Sequence, residues 1–287
     1  MTSATTARLL IRCPDQPGII GSTTSFLHLH GANITALDQY STEGDASTFF
    51  MRIEFQTPHL DLSRSALVQA FDEVVARRFV MDYRLSYAAD RKRTAVFVSK
   101  HDHALVELLW RWSRDQLPTD LAMVVSNHPD LRETVERFGV PYHHVPVTRA
   151  TRDEAEREIR ALVDGNADLI VLARYMQILS PSFVADYPNR IINIHHSFLP
   201  AFVGADPYRQ AWERGVKIVG ATAHYVTSEL DAGPIIDQGV AHVTHRETVE
   251  ELKELGRNVE REALARAVRW HLEDRIIVHE NKTVVFA

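Results

Sequence analysis

Residues 190–204 have the sequence RIINIHHSFLPAFVG. The apolar segment 190–194 predicts a buried strand of a parallel sheet. Asn193 and His195 are two residues apart at its carboxyl end, so their side chains project to the same side, where open α/β sheets bind their ligands. An amide and an imidazole on one face can donate to a developing oxyanion and protonate a leaving amine. We therefore predict a site for attack on a carbonyl group.

The segments around this strand predict an α/β domain. Buried strands are predicted at 94–98, 121–125 and 168–173, with helices at 104–114, 131–138 and 152–163. Further strands at 218–226 and 234–238 precede a long charged helix at 248–272 and a hairpin around 280–282. This alternation is typical of a doubly wound, mostly parallel α/β sheet.

The amino-terminal part has a different order of elements. Strand patterns occur at 8–13, 33–40, 48–55 and 79–87, with helical periodicity after Gly18 and at 62–77. The order is βαββαβ, which predicts a ferredoxin-like fold. A small and charged stretch at 88–93 separates the two patterns, so we predict domains at 1–88 and 89–287.

The composition excludes several classes of protein. The 287 residues include 32 Lys plus Arg against 38 Asp plus Glu, for a formal net charge of -6. This balance provides no general basic field for nucleic acid or an anionic membrane. No apolar run approaches the roughly 20 residues of a membrane-spanning helix, and residues 1–8 lack a secretory core, so we expect a cytoplasmic protein. A single cysteine, Cys13, fits a reducing compartment.

The 15 histidines raise the question of a metal site. There is no H-E-x-x-H motif, His28 and His30 diverge on a predicted helix, and the pairs 143–144 and 195–196 point to opposite faces. We therefore expect no metal. Residues 99–102, after the first strand of the second domain, lack the glycines of a dinucleotide loop, so NAD binding is not expected either.

A carboxylate is needed to orient and polarise His195. Downstream, Asp231 follows a predicted strand and precedes an Ala-Gly-Pro turn. An aspartate before such a turn is, taken alone, more often explained by ordinary turn chemistry. Its position in the sequence therefore leaves both a catalytic and a structural interpretation open.

Two motifs in these segments resemble a known family. N-I-H-x-S-x-L-P at 193–200 and H-Y-V-x-x-x-L-D-x-G-P at 224–234 are similar to the folate-dependent formyltransferases, whose catalytic trio is an Asn, a His and an Asp. Carried over residue by residue, the resemblance implies that Asn193, His195 and Asp231 are catalytic.

Other segments narrow the resemblance to the formyltetrahydrofolate deformylases. They are LARYMQIL at 172–179, PY at 207–208 and GVKIVG at 215–220. In the first domain, CPDQPG at 13–18 and FFMR at 49–52 resemble the ACT-type regulatory domain that is fused to those deformylases. The resemblance covers nearly the whole chain.

The resemblance implies hydrolysis of 10-formyltetrahydrofolate to formate and tetrahydrofolate, linked to one-carbon and purine metabolism. Folate is then the substrate, and no cofactor is implied. In the transferase that formylates glycinamide ribonucleotide, a glycine-rich loop after the first strand holds the acceptor's phosphate. Residues 99–102 lack those glycines, which favours water as the nucleophile.

By the same analogy, the pterin lies against backbone from Met176 to Leu179 and against the loop from Thr227 to Asp231. We expect Arg174 and Arg209 to attract the glutamate tail at the pocket mouth, although Arg209 stands where many relatives have a histidine. His224 lies in the second motif and either supports the loop or packs in the core.

In the first domain, Asp15, Gln16 and Gly18 precede a helix N-terminus, which favours an amino-acid carboxylate. The alternative is that this loop mainly pairs subunits. The resemblance implies glycine or methionine as effectors and a homodimer or homotetramer.

Two other functions are consistent with parts of the sequence. The first is transfer of the formyl group to an amine, and the second is an amino-acid sensor whose second domain only binds folate. Formate release without an acceptor separates hydrolysis from transfer. Folate binding without turnover would favour the sensor.

Overall fold

The computed structural model describes residues 5–44, 46–199 and 207–287. The chain divides into two compact units. The first unit consists of Met1–Arg91, Glu273–Ile277 and Val284–Ala287, and the second of Lys92–Leu272 and Val278–Thr283. Short segments near the carboxyl terminus thus belong to the first unit, which a single division at 88/89 does not anticipate.

The first unit has the predicted ferredoxin-like order. Its elements are β1 (Thr6–Pro14), α1 (Ile19–Leu29), β2 (Asn33–Ser41), β3 (Thr48–Gln56), α2 (Arg64–Phe71), α3 (Arg77–Phe79) and β4 (Asp82–Tyr87). The four strands form an antiparallel sheet in the order β2-β3-β1-β4. A π-helical turn, Asp72–Ala76, joins α2 to α3. Phe79, predicted as the start of the last strand, instead ends α3 and is buried in the core.

Alternation along β1 places different residues on the two faces of this sheet. Leu9 and Ile11 belong to the hydrophobic core that the helices cover. Two arginines of the sheet are also buried: Arg8, which precedes Leu9 on β1, and Arg52 on β3. Arg52 donates to the backbone carbonyls of Glu273 and Asp274 at 3.1 and 2.9 Å, so the returning carboxyl-terminal segment is fastened to the sheet by hydrogen bonds.

The second unit contains a seven-stranded sheet in the order β11-β10-β9-β8-β5-β6-β7. Its strands are β5 (Lys92–Val98), β6 (Thr119–Ser126), β7 (Tyr142–His144), β8 (Leu169–Leu172), β9 (Ile191–His195), β10 (Ile218–Tyr225) and β11 (Ile235–His242). Pairing is parallel from β7 across to β9, whereas β10 is antiparallel to both of its neighbours. The predicted mostly parallel α/β sheet is confirmed. The sequence pattern missed β7, because three residues are too few to show a period.

Helices flank this sheet. They are α4 (His103–Ser113), α5 (Arg132–Glu136), α6 (Arg152–Val163), α7 (Pro181–Asp186), α8 (Pro207–Glu213) and α9 (Val249–Leu272). Two short strands, β12 (Ile276–His279) and β13 (Lys282–Val285), pair at the predicted hairpin. Among the described residues, no helix is both long and apolar enough to cross a membrane.

The centre of the sheet positions the site. Strands β5, β8 and β9 are rich in buried aliphatic residues, as expected for parallel strands covered on both faces. On β9, His195 pairs with Thr222 of β10, and Asn193 pairs with His224. The antiparallel pairing of β10 with β9 therefore brings the motif at 224–234 beside the motif at 193–200.

Candidate active site

A cleft of about 960 Å³, counting its open mouth, lies at the carboxyl end of the parallel strands. Its walls come from the segment after β8, the end of β9 and the loop after β10. They include Asn193, His195 and Asp231. The described structure thus brings together the three residues predicted to be catalytic, at the edge where open α/β sheets bind ligands.

The carboxylate of Asp231 lies between two imidazoles. His195 Nδ1 is 3.2 Å from Asp231 Oδ2, and His224 Nε2 is 3.6 Å from Asp231 Oδ1. The hydrogen bond from His195, followed by that from His224, holds the pKa of Asp231 far below its usual value despite partial burial. Asp231 is therefore an anion at neutral pH, and it fixes Nδ1 of His195 as the donor nitrogen.

The other nitrogen of His195 faces a hydroxyl group. His195 Nε2 lies 2.8 Å from Ser197 Oγ. With Nδ1 donating to Asp231, a neutral ring has its lone pair at Nε2, which accepts from the serine. This nitrogen is the one that can take up a proton during a reaction. Ser197 was not predicted individually, although it is the serine of the N-I-H-x-S motif.

His224 supports the trio from the neighbouring strand. It is 2% exposed, and its Nδ1 donates to the backbone carbonyl of Tyr225 at 2.9 Å. Its Nε2 lies 3.2 Å from Asn193 Nδ2 and 3.6 Å from Asp231 Oδ1. The alternative left open for His224 is thus decided by geometry, because the buried ring contacts both Asn193 and Asp231.

The loop that carries Asp231 is held by a tight turn. Asp231 has a left-handed backbone with φ of 55°, which aspartate tolerates better than most residues. The Tyr225 N–H donates to the Pro234 carbonyl at 2.9 Å, so the turn closes between β10 and β11. A Cβ on Gly233 would lie 1.9 Å from the Tyr225 carbonyl oxygen. Only glycine fits there without moving the backbone.

Replacing Gly233 by alanine should displace this loop. Overpacking costs typically about 1–3 kcal/mol, and a shift of about 1 Å in a catalytic group costs about a hundredfold in rate. We expect a loss of both thermal stability and the formate release that the sequence resemblance implies. The matched control is Gly21→Ala, because no atom lies within 4 Å of the added Cβ. Unchanged turnover in Gly233→Ala would show that the turn does not position Asp231.

The residues predicted to bind substrate are distributed unevenly. Met176, Leu179 and Thr227 line the cleft, and the Met176 side chain is exposed. The Met176 N–H already donates to Ser99 Oγ at 2.9 Å. Arg209 is exposed and is not one of the described residues that line the cleft, and residues 200–206 lie outside the described part of the chain.

Arg174 lines the cleft, but its side chain is only 13% exposed. Its Nε lies 3.5 Å from Glu260 Oε2. The guanidinium is therefore compensated inside the protein, which differs from the predicted place at the pocket mouth. Sequence reasoning missed Glu260. The available signal was an acidic residue in line with Leu252, Gly256 and Leu264, all buried on α9 at intervals of four.

His196 follows His195, and its surroundings disfavour a charge on its ring. Burial, followed by the nearby charge of Arg174, lowers the pKa of His196 to about 4. An unfolded chain binds a proton there at about pH 6.5, so between these values the unfolded state holds more protons. Native stability should therefore fall as the pH is lowered from about 6.5 to about 4.

One such group changes the free energy of unfolding by at most about 1.4 kcal/mol per pH unit, and partial solvent access reduces this change. Urea unfolding at pH 7.5 and pH 5 would measure the effect. His196→Gln should lose less stability than the wild type over that interval. An identical pH dependence in the two proteins would contradict the assignment.

No group of three or more His, Cys, Asp or Glu is arranged to hold a metal ion within residues 5–44, 46–199 and 207–287.

In the first unit, Gly18 precedes α1 with φ of 99°. Asp15 is tied to the β2–β3 connection, because its N–H donates to the Ser47 carbonyl at 2.9 Å and its carboxylate accepts from Ser47 Oγ at 3.3 Å. Gln16 is exposed.

Comparisons with known proteins agree with this architecture. A family model described as "Formyl transferase" matches residues 92–268, and one described as "ACT domain" matches residues 7–72. The formyltetrahydrofolate deformylase of Bacillus subtilis is 53% identical over 280 residues, covering 97% of this chain and 93% of the relative.

Solved structures show the same likeness over both units. The crystal structure of a formyltetrahydrofolate deformylase from Pseudomonas syringae has a TM-score of 0.94 and 48% identity, covering 98% of this chain and 94% of that chain. The one from Burkholderia mallei has a TM-score of 0.92 and 40% identity, covering 99% and 100%. This chain belongs to the formyltetrahydrofolate deformylase family, in which an ACT domain is joined to a formyl transferase domain.

Proposed function

We propose that this chain hydrolyses 10-formyltetrahydrofolate to formate and tetrahydrofolate, with water as the nucleophile, in one-carbon and purine metabolism. The enzyme is a formyltetrahydrofolate deformylase, a hydrolase that acts on a linear amide C–N bond. The observation that supports this function most directly is the meeting of Asn193, His195 and Asp231 in one cleft.

In the first step, the water oxygen bonds to the formyl carbon and the carbonyl oxygen becomes an oxyanion. Asn193 donates a hydrogen bond to that oxygen. His195 Nε2 accepts the proton that the water loses. Asp231, whose pKa is held low by His195 and His224, is a weak base. It therefore stabilises the imidazolium and fixes its orientation, and does not itself hold the proton.

In the second step, the intermediate collapses. The C–N10 bond breaks, N10 receives the proton from His195, and formic acid leaves and ionises to formate. The imidazole returns to its starting state, so the cycle balances without an oxidant, a reductant or a resident cofactor. No metal is needed for this sequence, and we expect dialysis against EDTA to leave the rate unchanged.

Apolar side chains of the cleft suit a flat folate ring. Met176, Ile178 and Leu230 line the cleft and are 57%, 61% and 66% exposed. The pterin then lies between the segment from Met176 to Leu179 and the loop from Thr227 to Asp231. Arg209, exposed on α8, is the remaining basic candidate for the glutamate tail.

The test of this function is formate release from 10-formyltetrahydrofolate by the purified full chain without an added acceptor. We expect one formate and one tetrahydrofolate per substrate consumed. A requirement for an amine would instead identify a transferase. Folate binding without any turnover would identify a sensor, and either result would overturn the proposal.

For the first domain, we propose that Asp15, Gln16 and Gly18 border the binding site of an amino-acid effector, glycine or methionine. The exposed N-terminus of α1 supports this assignment, because its N–H groups favour a carboxylate. The enzyme acts in the cytoplasm as a homodimer or homotetramer. Formate release measured with each amino acid, together with light scattering, tests the effector and the assembly; no change of rate with either would contradict the regulatory site.

A further inference from the structure

Arg174 occupies a backbone position that favours glycine. Its φ is 63°, in the left-handed region, where a side chain costs roughly 1–2 kcal/mol that glycine does not pay. The side chain is also largely buried, and its Nε has no hydrogen-bond partner among the described residues. Both the backbone conformation and the buried, unbonded Nε make arginine unfavourable for stability at this position. We therefore looked for a functional role of the side chain.

A buried cluster holds this arginine in place. Glu260, whose side chain is 3% exposed, is 3.5 Å from Arg174 Nε and 2.8 Å from His103 Nε2. Tyr208 Oη donates to Glu260 Oε1 at 3.2 Å. Burial alone would raise the pKa of Glu260, but the hydrogen bond from His103 and the charge of Arg174 keep it below its usual value. The carboxylate is therefore charged, and it anchors the guanidinium.

The close approach of Tyr208 depends on a glycine. A Cβ on Gly256 would lie 1.9 Å from Tyr208 Oη, so only glycine at this position of α9 admits the ring. We define the Arg174 cluster as Arg174, Glu260, His103 and Tyr208. Its members come from the segment after β8 and from α9, α4 and α8, so it joins four parts of the second unit.

The Arg174 cluster borders the reacting end of the cleft. Leu172 of β8 pairs with Asn193 of β9, and Arg174 follows Leu172 by two residues as His195 follows Asn193. Arg174 therefore leaves the sheet beside the catalytic histidine, and both residues line the cleft. The other wall, between Met176 and Asp231, is the one assigned above to the folate.

A nucleophile must approach the formyl carbon within reach of His195. Water occupies about 30 Å³. An amine that carries a substituent needs room for that substituent on the side away from the folate. Arg174 lines the cleft together with His195, so its side chain takes up space that such a substituent would need. Glu260 keeps the side chain in place, because separating this buried ion pair would leave an uncompensated charge.

We propose that Arg174, anchored by Glu260, is the specificity-determining residue that restricts the nucleophile to water. This proposal rests on the deformylase function proposed above. Without the side chain, an amine nitrogen bonds to the formyl carbon, the C–N10 bond breaks, and the proton of the amine passes to N10. The products are a formamide and tetrahydrofolate, so the reaction again needs no other reagent.

The test compares two variants of the full-length enzyme. Arg174→Gly removes the side chain and suits the left-handed backbone, whereas Arg174→Met removes the charge but keeps most of the volume. Each is incubated with 10-formyltetrahydrofolate and glycinamide, and N-formylglycinamide and formate are quantified by mass spectrometry. We expect the amide-to-formate ratio to rise at least about tenfold in Arg174→Gly and to stay at the wild-type value in Arg174→Met.

Two results would overturn the proposal. One is an unchanged ratio in a folded Arg174→Gly enzyme that still binds folate, and the other is an equal rise in both variants. The Arg174→Gly variant can unfold because Glu260 is then a buried charge without its arginine. In that case the double variant Arg174→Gly/Glu260→Gln, which removes both charges, is judged by the same ratio. Formate release by the wild type without glycinamide is measured separately, so failure of the deformylase function is distinguishable from failure of this proposal.

Discussion

Replacing Asp231 by asparagine should lower kcat for formate release by about a thousandfold or more. The substitution keeps the shape of the side chain, and asparagine, like aspartate, tolerates the backbone φ of 55° at this position. It removes the anion that lies 3.2 Å from His195 Nδ1. An amide in this place can present N–H groups to the ring, which favours the wrong tautomer, and it no longer stabilises the imidazolium.

Steady-state formate release, with KM for 10-formyltetrahydrofolate, measures this effect. The matched control is Asp115→Asn, because Asp115 has the same φ of 55° and is not one of the described residues that line the cleft. We expect the control to retain wild-type turnover. If Asp231→Asn kept more than about a tenth of wild-type kcat, Asp231 would have no part in proton transfer.

Asn193→Ala should reduce kcat by about a hundredfold to a thousandfold. That is the usual cost of losing one hydrogen bond to the oxyanion of a tetrahedral intermediate. KM should change little, because the interaction is made in the transition state and not in the bound substrate. The loss of the contact with His224 Nε2 leaves that ring supported by Tyr225.

The same formate assay applies, with Asn166→Ala as the control, since Asn166 follows α6 and is exposed. Circular dichroism of Asn193→Ala should match the wild type. A variant with unchanged kcat and a raised KM would assign Asn193 to substrate binding and remove it from the proposed mechanism.

Most strands and two members of the trio, Asn193 and His195, were accessible from the sequence for a local reason. Asn193 and His195 lie two residues apart on an apolar strand, and that spacing alone places them on one face. The first unit was equally accessible, because each helix and strand has its own period. Its last helix was predicted less well, since the π-helical turn after α2 and the left-handed Val80 shift where the helix ends.

Other features depended on distant parts of the chain. His224 looked equally suited to packing and to support, and the antiparallel pairing of β10 with β9 places it opposite Asn193. Arg52 is an ordinary strand residue in the sequence, yet it is buried because the chain returns at Glu273 and Asp274, more than two hundred residues later. The hydrophobic periodicity of a single helix or strand does not indicate which distant segment it will contact.

The sequence by itself determined the two fold types and the order of their elements, because these follow from periodicity, and its motifs supplied Asn193, His195 and Asp231 as the candidates for catalysis. Only the tertiary structure decided which charges are compensated. Arg174 looked like a basic residue at the pocket mouth, and Glu260 looked like one acidic residue of a charged helix. They meet because α9 packs beside the sheet, and the free energy of a buried charge depends on that meeting.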